Sequence, residues 1–266
     1  MISYLIIIKE RDVLVEYSLV FIFGAVFGSF LNVIIYRVPQ GLSIITPRSS
    51  CPNCKTQIKW IHNIPLLSFL ILKAKCAYCK EKISPVYFVV ELISSILTFL
   101  IFIKLGFTIE FFIALIFFYT LIVLAFIDFK YHAVPDYMLL IAFVLVFFVT
   151  SFSLKEAFIN AFIFAGAFSL LEFLVTFYIQ NVKARLLKDK SLEDQKALGE
   201  GDIPIIAAIG ALLGIGGGFV AIFLAAFFAI IPTLIFRQKN IEIPFIPYLL
   251  LGLSVEYIFE ISKVLI

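Results

Sequence analysis

The chain has 266 residues, of which 63% are hydrophobic and 15% charged, and its mean hydropathy is +1.12. A soluble globular chain is about half apolar and about a quarter charged, so this composition excludes an ordinary soluble enzyme and a disordered chain and indicates a protein surrounded mostly by lipid. The net charge of +3 is too small to favour a function in nucleic-acid binding.

The chain begins with a short apolar run, 2–8, followed by charged residues at 9–12. A secretory signal has its charges before the apolar stretch and a small-residue cleavage site after it, so we expect this region to be the mature N terminus. The next apolar block contains Gly24 and Gly28. Their spacing lets two membrane helices approach closely, although chance explains such a spacing in an apolar segment equally well.

Apolar blocks recur along the rest of the chain, and most are close to the ~20 residues that a helix needs to cross the hydrocarbon of a bilayer. Including the first, the eight blocks are 13–36, 84–103, 107–127, 137–153, 156–180, 204–216, 219–236 and 245–262. Glycines at 214 and 216–218 leave the boundary between the sixth and seventh blocks open. Because neither the alternation typical of strands nor an internal repeat is visible, we predict an all-α polytopic membrane protein with about eight transmembrane helices.

The basic residues are distributed unevenly between the two sides of this predicted bundle. Sixteen Lys and Arg residues fall on one side and five on the other. The sixteen lie in the loops 37–83, 128–136, 181–202 and 237–243. Since short cytoplasmic loops carry the excess of Lys and Arg, we predict that these loops are cytoplasmic and that both termini lie outside.

Residues 37–83 differ in composition from the rest of the chain, with all four cysteines, the only tryptophan, and eight basic residues against the single acid Glu81. We therefore predict three regions. Residues 1–36 hold the N-terminal segment and the first transmembrane helix, 37–83 form a cytoplasmic four-cysteine module, and 84–266 form a transmembrane bundle of about seven helices.

The four cysteines form two CxxC pairs, Cys51 with Cys54 and Cys76 with Cys79. Two such knuckles can supply four thiolates to a tetrahedral Zn²⁺. Two disulfides or a redox pair are the alternatives, but the predicted cytoplasmic location argues against disulfides, and redox chemistry would need only one pair. We predict a structural zinc site, with His62 as a surface or packing residue.

Two aspartates are placed at one predicted membrane face. Asp128 lies at the C-terminal end of the third block, where the helix dipole disfavours a carboxylate, so a function must favour it. Asp202 follows Gly199 and Gly201 and precedes the sixth block, where a helix cap is the alternative role, as it is for Asp136. Two carboxylates close together share a proton, and such a pair can activate water and polarise a carbonyl.

Three glutamates lie inside or near apolar blocks, where an ionisable side chain indicates a functional site. These are Glu91, Glu172 and Glu256. Each can pair with a base or line a cavity.

Several motifs in this order resemble the bacterial type IV prepilin peptidases, the GxGD class of membrane aspartic proteases. The matching segments are Gly28 to Pro39, the two CxxC pairs, Trp60 to Pro65, Leu67-Ser68, Ile83-Ser84, Glu91-Leu92, Asp128 to Asp136 and Gly199 to Asp202. The chain departs from the family at Pro204, where Lys is usual, at Phe88, where Pro is usual, and at Ala74, where Gly is usual.

The resemblance implies an enzyme of the cytoplasmic (inner) membrane that removes the basic leader from prepilins or pseudopilins of type IV pili and type II secretion. It implies that Asp128 and Asp202 are the catalytic pair at the cytoplasmic face and that the four cysteines hold zinc. It also implies N-methylation of the new N terminus with S-adenosylmethionine, although no residues are assigned to that step. The expected partners are the prepilin substrate and membrane lipid, with no nucleic acid, and the oligomeric state is left open.

Two other functions are weighed against this one. A carrier or channel would use its acids as a proton or cation relay, but it should place them near the middle of the membrane and show a repeat. A zinc-bearing scaffold without chemistry explains the cysteines but leaves Asp128 unexplained.

Overall fold

The computed structural model describes residues 2–187, 198–236 and 244–265 of the chain, and most of them are helical. The helices are α1 (Ile2–Arg37), α2 (Leu67–Ile71), α3 (Pro85–Leu105), α4 (Ile109–Tyr131), α5 (Asp136–Val149), α6 (Leu154–Phe177), α7 (Ala184–Leu187), α8 (Asp202–Phe236), α9 (Ile246–Phe259) and α10 (Ile261–Leu265). The predicted all-α class is confirmed. The remaining parts of the predicted loops 181–202 and 237–243 lie outside the described residues.

Five helical segments are long and apolar enough to cross a membrane, and two shorter apolar helices, α5 and α9, accompany them. The five are Leu14–Gln40, Pro85–Leu105, Ile109–Tyr131, Leu154–Leu186 and Asp202–Pro232. Each predicted apolar block thus contains helical residues, and the chain is a multi-pass membrane protein.

Two helix bounds differ from the sequence-based prediction. Helix α1 begins at Ile2, so the N-terminal apolar run and the charged residues after it continue into the first span. After α6 the chain does not enter a loop at 181, because a π-helical turn, Tyr178–Lys183, leads directly into α7. Local polarity therefore marks the end of the apolar span rather than the end of the helix.

Contacts divide the chain into two compact units, Met1–Val123 and Leu124–Ile266. In the first unit, the two glycines of α1 let it pack closely on α3. A Cβ atom added to Gly24 would lie 2.7 Å from the Cα of Ser95, and one added to Gly28 would lie 2.7 Å from the Cα of Glu91. The close-packing interpretation of this glycine spacing is confirmed.

In the second unit, α8 packs on α5, α6 and α9. The closest approach is at Gly252 of α9, where an added Cβ would lie 2.1 Å from the carbonyl oxygen of Ala221. At the far end of α5, the Thr150 hydroxyl donates to the carbonyl of Ala211 at 2.9 Å. These contacts place α8 at the centre of this unit.

Helix α8 folds back on itself at Gly214, which has φ 70° and ψ −170°. A Cβ atom added to Gly210 would lie 2.5 Å from the Phe164 ring, and one added to Gly218 would lie equally close to the same ring. In a straight helix, residues eight apart are separated by about 12 Å along the axis, too far for one ring to touch both. The sixth and seventh predicted blocks are therefore two separate segments, and the break lies at Gly214.

Candidate active site

Asp128 lies in the last turn of α4, and its side chain is 9% exposed. The backbone N–H of Ile246, at the start of α9, donates a hydrogen bond to Asp128 Oδ2 at 3.2 Å. A carboxylate at a helix C terminus faces the negative end of the dipole, and a donor from another helix offsets that cost. A contact between residues 118 positions apart therefore holds this side chain.

Asp202 is the first residue of α8 and is 6% exposed. Its Oδ2 accepts a hydrogen bond at 3.0 Å from the backbone N–H of Gly199, whose carbonyl in turn accepts the N–H of Asp202 at 3.1 Å. A Cβ on Gly199 would lie 3.0 Å from that carboxylate oxygen. The glycine thus lets the backbone approach the carboxyl group, which also lies at the favourable positive end of a helix.

The structure brings the two aspartates to one place in the second unit. Asp128 accepts a hydrogen bond from Ile246, and Gly201, the residue before Asp202, packs against the same isoleucine. Gly201 packs beside them: an added Cβ would lie 2.7 Å from Val134 Cγ2 and 3.7 Å from Ile246 Cδ1. Ile246 therefore contacts both halves of the site, because its N–H holds Asp128 and its side chain covers the loop before Asp202.

Asp136 has a different place from the cap considered from the sequence. It is the first residue of α5, and Pro135 occupies the N-cap position without a side-chain hydrogen bond. A carboxylate in the first turn is favourable to the helix dipole, which accounts for Asp136.

The four cysteine sulfurs form one cluster in the first unit, and all lie within 4.8 Å of one another. Cys51 Sγ lies 3.8 Å from Cys79 Sγ, and the four thiols are free. Four thiolates on a tetrahedral Zn²⁺ with Zn–S bonds of about 2.3 Å are about 3.8 Å apart. The donor set and its spacing fit a zinc ion, and disulfides are not formed.

The backbone around the cysteines repeats in the two knuckles. In the first, the N–H of Cys51 donates to the carbonyl of Thr56, and in the second the N–H of Cys76 donates to that of Glu81. The residue after each second cysteine, Lys55 or Lys80, has a positive φ of 58° or 61°. Each turn therefore points its two sulfurs to one side.

His62 is not part of the cysteine cluster. It is half-buried, and its ring packs edge-on against Tyr78 with centroids 5.9 Å apart. The prediction of a packing residue is confirmed.

The three glutamates from the apolar blocks accept hydrogen bonds within their own units. Glu91 accepts the backbone N–H of Leu66 at 2.8 Å, and Glu172 accepts the hydroxyl of Thr176 at 3.1 Å. Glu256, 2% exposed, accepts the backbone N–H and the hydroxyl of Ser262. Glu91 holds the backbone at Leu66, which precedes its helix in the sequence, and Glu256 holds the backbone at Ser262, which follows its helix. Both glutamates therefore have a structural role.

Nothing in the residue type of Ile246 marks it as part of the site. Its contribution is a backbone N–H and an apolar contact, and neither leaves a sign in the residue type. The only local signal is Pro247, which is typical of the first turn of a helix and therefore marks a helix start with free N–H groups.

Two family models match the chain. Residues 22–105 match the Bacterial Peptidase A24 N-terminal domain, and residues 115–234 match the Type IV leader peptidase family. The second match contains both aspartates, and the first contains the cysteine cluster. These matches give no support to a carrier or channel.

The curated relatives found by sequence include proteins named prepilin leader peptidase/N-methyltransferase. One from Bacillus subtilis is 31% identical, and the match covers 91% of this chain and 94% of the relative. One from Vibrio cholerae is 34% identical, and the match covers 75% of this chain and 79% of the relative. A third, from Myxococcus xanthus, is 36% identical over 73% of this chain but only 55% of its own length. No solved structure matches the chain.

Proposed function

This chain belongs to the type IV leader peptidase family, and from that premise we propose that it removes the leader from prepilins or pseudopilins, with Asp128 and Asp202 as the catalytic pair. The observation that supports the proposal is that both carboxyl groups are buried, that each accepts a backbone N–H, and that Ile246 contacts Asp128 and the residue before Asp202. Leader removal is the activity in the names of its relatives.

The proposed reaction is hydrolysis of one peptide bond by a water between the two aspartates. One aspartate, as carboxylate, takes a proton from the water while the other, as carboxylic acid, donates a hydrogen bond to the scissile carbonyl. The hydroxyl of the water bonds to the carbonyl carbon, and the C–N bond then breaks with protonation of the leaving amine. In each aspartate the backbone N–H donates to Oδ2, and Oδ1 would bind the water or the substrate.

We extend the proposal to zinc in the cysteine cluster. Cys51, Cys54, Cys76 and Cys79 would hold the ion with all four positions filled, so that it stabilises the fold of the module and leaves no open position for catalysis. We assign it no step in hydrolysis.

We also propose that the enzyme methylates the new N terminus, with S-adenosylmethionine as the methyl donor. This rests on the term N-methyltransferase in the names of relatives that cover most of their length. The site would lie in the cytoplasmic (inner) membrane with its aspartates at the cytoplasmic face, as the distribution of basic residues predicts. The regions 1–36, 37–83 and 84–266 would serve as first span, zinc module and peptidase bundle.

The test is cleavage of a prepilin by purified, detergent-solubilised Asp128→Asn and Asp202→Asn variants. Each asparagine keeps a hydrogen-bond acceptor but cannot take the proton of water, so we expect a loss of about a thousandfold or more in kcat. Cleavage is measured by the mobility shift of the shortened product, and folding by the thermal unfolding transition.

Asp136→Asn is the matched control, because this nearby carboxylate occupies the first turn of α5 rather than the pair. We expect it to cleave normally. Normal cleavage by both Asp128→Asn and Asp202→Asn would overturn the assignment.

A further inference from the structure

The cysteine module carries a group of exposed apolar side chains beside its knuckles. They lie in the short turn Trp60–His62 and in α2, and we call them the apolar face: Trp60 (79% exposed), Ile61, Leu67, Leu70 (60%) and Ile71 (76%). Within α2 the three residues are spaced i, i+3 and i+4, so they share one side of the helix. Soluble surfaces rarely leave a tryptophan and several large aliphatic residues exposed together.

The opposite side of α2 is fixed to the start of α3. The Phe69 ring stacks on the Phe88 ring with centroids 5.2 Å apart, and the N–H of Leu66 donates to Glu91. Leu66 has φ 60° and ψ −50° and centres a tight turn in which the N–H of Leu67 bonds the carbonyl of Pro65. Such a turn is strained for a non-glycine residue, and the hydrogen bond to Glu91 helps to hold it.

These anchors set the depth of α2 relative to the membrane helices. Glu91 lies six residues after the start of α3, which is about 9 Å along the helix axis. Its Cα packs against Gly28. Gly28 lies nine residues before the end of α1, which is about 13 Å along that helix. The headgroup layer on each side of a bilayer is about 6 Å thick. Segment 64–71 is therefore held beside the first turns of α3, which is long and apolar enough to span a membrane.

Basic residues border the apolar face. Lys59 precedes it, Lys73 and Lys75 follow it, and all three are exposed. Long basic side chains at this depth extend to the headgroups while their methylene groups remain in the apolar layer, and anionic lipid attracts them. An exposed tryptophan next to them is typical of the membrane interface.

We propose that the apolar face of the cysteine module is a membrane-docking surface that inserts into the interfacial layer of the bilayer and prefers anionic lipid headgroups. Its occupant is lipid rather than substrate, because the module has eight basic residues against one acid between 37 and 83 and would repel the basic leader of a prepilin. In this arrangement the knuckles rest on the membrane instead of moving freely above it.

Trp60 is the only tryptophan of the chain and serves as the probe. The full-length protein is reconstituted into vesicles of phosphatidylcholine with or without phosphatidylglycerol, and its fluorescence is quenched either by brominated acyl chains or by aqueous acrylamide. We expect brominated lipid to remove most of the emission and acrylamide to remove little. Phosphatidylglycerol should increase the quenching by brominated lipid.

Two sets of variants separate the apolar and the electrostatic contributions. Leu70→Glu with Ile71→Glu should make Trp60 accessible to acrylamide, whereas the matched apolar pair Leu70→Met with Ile71→Leu should leave it in lipid. Replacement of Lys59, Lys73 and Lys75 by glutamine should abolish the effect of phosphatidylglycerol, with about a fivefold loss in the ratio of docked to undocked module per lysine. Retained metal content in each variant shows that the module is folded.

The proposal is overturned if Trp60 in the unaltered protein is quenched by acrylamide and not by brominated lipid. It is also overturned if a prepilin peptide displaces lipid from Trp60, since the face would then be a substrate surface. Equal quenching with and without phosphatidylglycerol would overturn the preference for anionic lipid.

Discussion

Asp128 and Asp202 occupy opposite ends of helices, and their surroundings differ accordingly. Asp202 lies at a helix start, where free N–H groups and the dipole favour a carboxylate. Asp128 lies at a helix end, where free carbonyl groups and the opposite end of the dipole disfavour it. The N–H of Ile246 supplies Asp128 with the donor that its own helix cannot. The geometry of the pair therefore depends on where α9 begins.

Gly201 allows this arrangement by its lack of a side chain. A Cβ there would meet Val134 and approach Ile246, so Gly201→Ala should shift the loop before Asp202 or the start of α9. Because small displacements of catalytic groups are costly, we expect at least about a tenfold loss in kcat/KM for prepilin cleavage. The measurement is steady-state cleavage by the detergent-solubilised protein.

Gly166→Ala is the matched control for this substitution. Gly166 is an exposed glycine inside α6 with no atom within 4 Å of an added Cβ, so alanine should leave cleavage unchanged and raise the free energy of unfolding by about 0.5–1 kcal/mol. Equal activity of Gly201→Ala and Gly166→Ala would show that packing at Gly201 does not position the pair.

At the scale of elements, the cysteine knuckles are too small to fold through apolar burial alone. Cys51 and Cys76 are buried while the lysines around them are exposed, so the metal would supply much of the module's stability. We expect Cys51→Ser to lose bound zinc and to lower the unfolding temperature.

Zinc is measured by elemental analysis of the purified protein, with His62→Gln as the control that should retain it. One zinc ion per chain in Cys51→Ser, with an unchanged unfolding temperature, would contradict the assignment of this cluster as a structural zinc site.

The reversal inside α8 depends on a backbone conformation that only glycine adopts readily. Gly214 has φ 70° and ψ −170°, and the Phe152 ring lies 2.8 Å from its missing Cβ. We expect Gly214→Ala to destabilise the protein by about 1–3 kcal/mol from backbone strain alone, measured by denaturant unfolding in detergent. Gly166→Ala again provides the comparison. If Gly214→Ala is as stable as Gly166→Ala, the reversal tolerates a side chain.

At the scale of the whole molecule, the chain is a multi-pass membrane protein, and its basic residues predict its orientation. Sixteen of the 21 Lys and Arg residues lie in the segments assigned from the sequence to one side of the membrane. A C-terminal alkaline phosphatase fusion should therefore be active, since that enzyme works only outside the cytoplasm, and a fusion within 37–83 should be inactive. The opposite pattern would place the aspartates outside and contradict cleavage at the cytoplasmic face.

The sequence by itself determined the features that depend on neighbouring residues. Hydropathy located the apolar helices among the described residues, the CxxC pairs identified the cysteine cluster, and the motifs around Asp128 and Asp202 identified the family. Each of these signals lies within a few residues, because solvent preference, metal-ligand spacing and turn formation are local properties.

Tertiary structure alone decided the contacts that hold the sites. The N–H of Ile246 on Asp128, the hydrogen bond from Leu66 to Glu91 and the return of α8 at Gly214 against Phe152 join residues distant in sequence. A backbone N–H is the same in every residue type except proline, and packing against a missing Cβ depends on which helix arrives there. Composition and spacing therefore carry no record of these partners, because most buried polar groups acquire their donors or acceptors only when the chain folds.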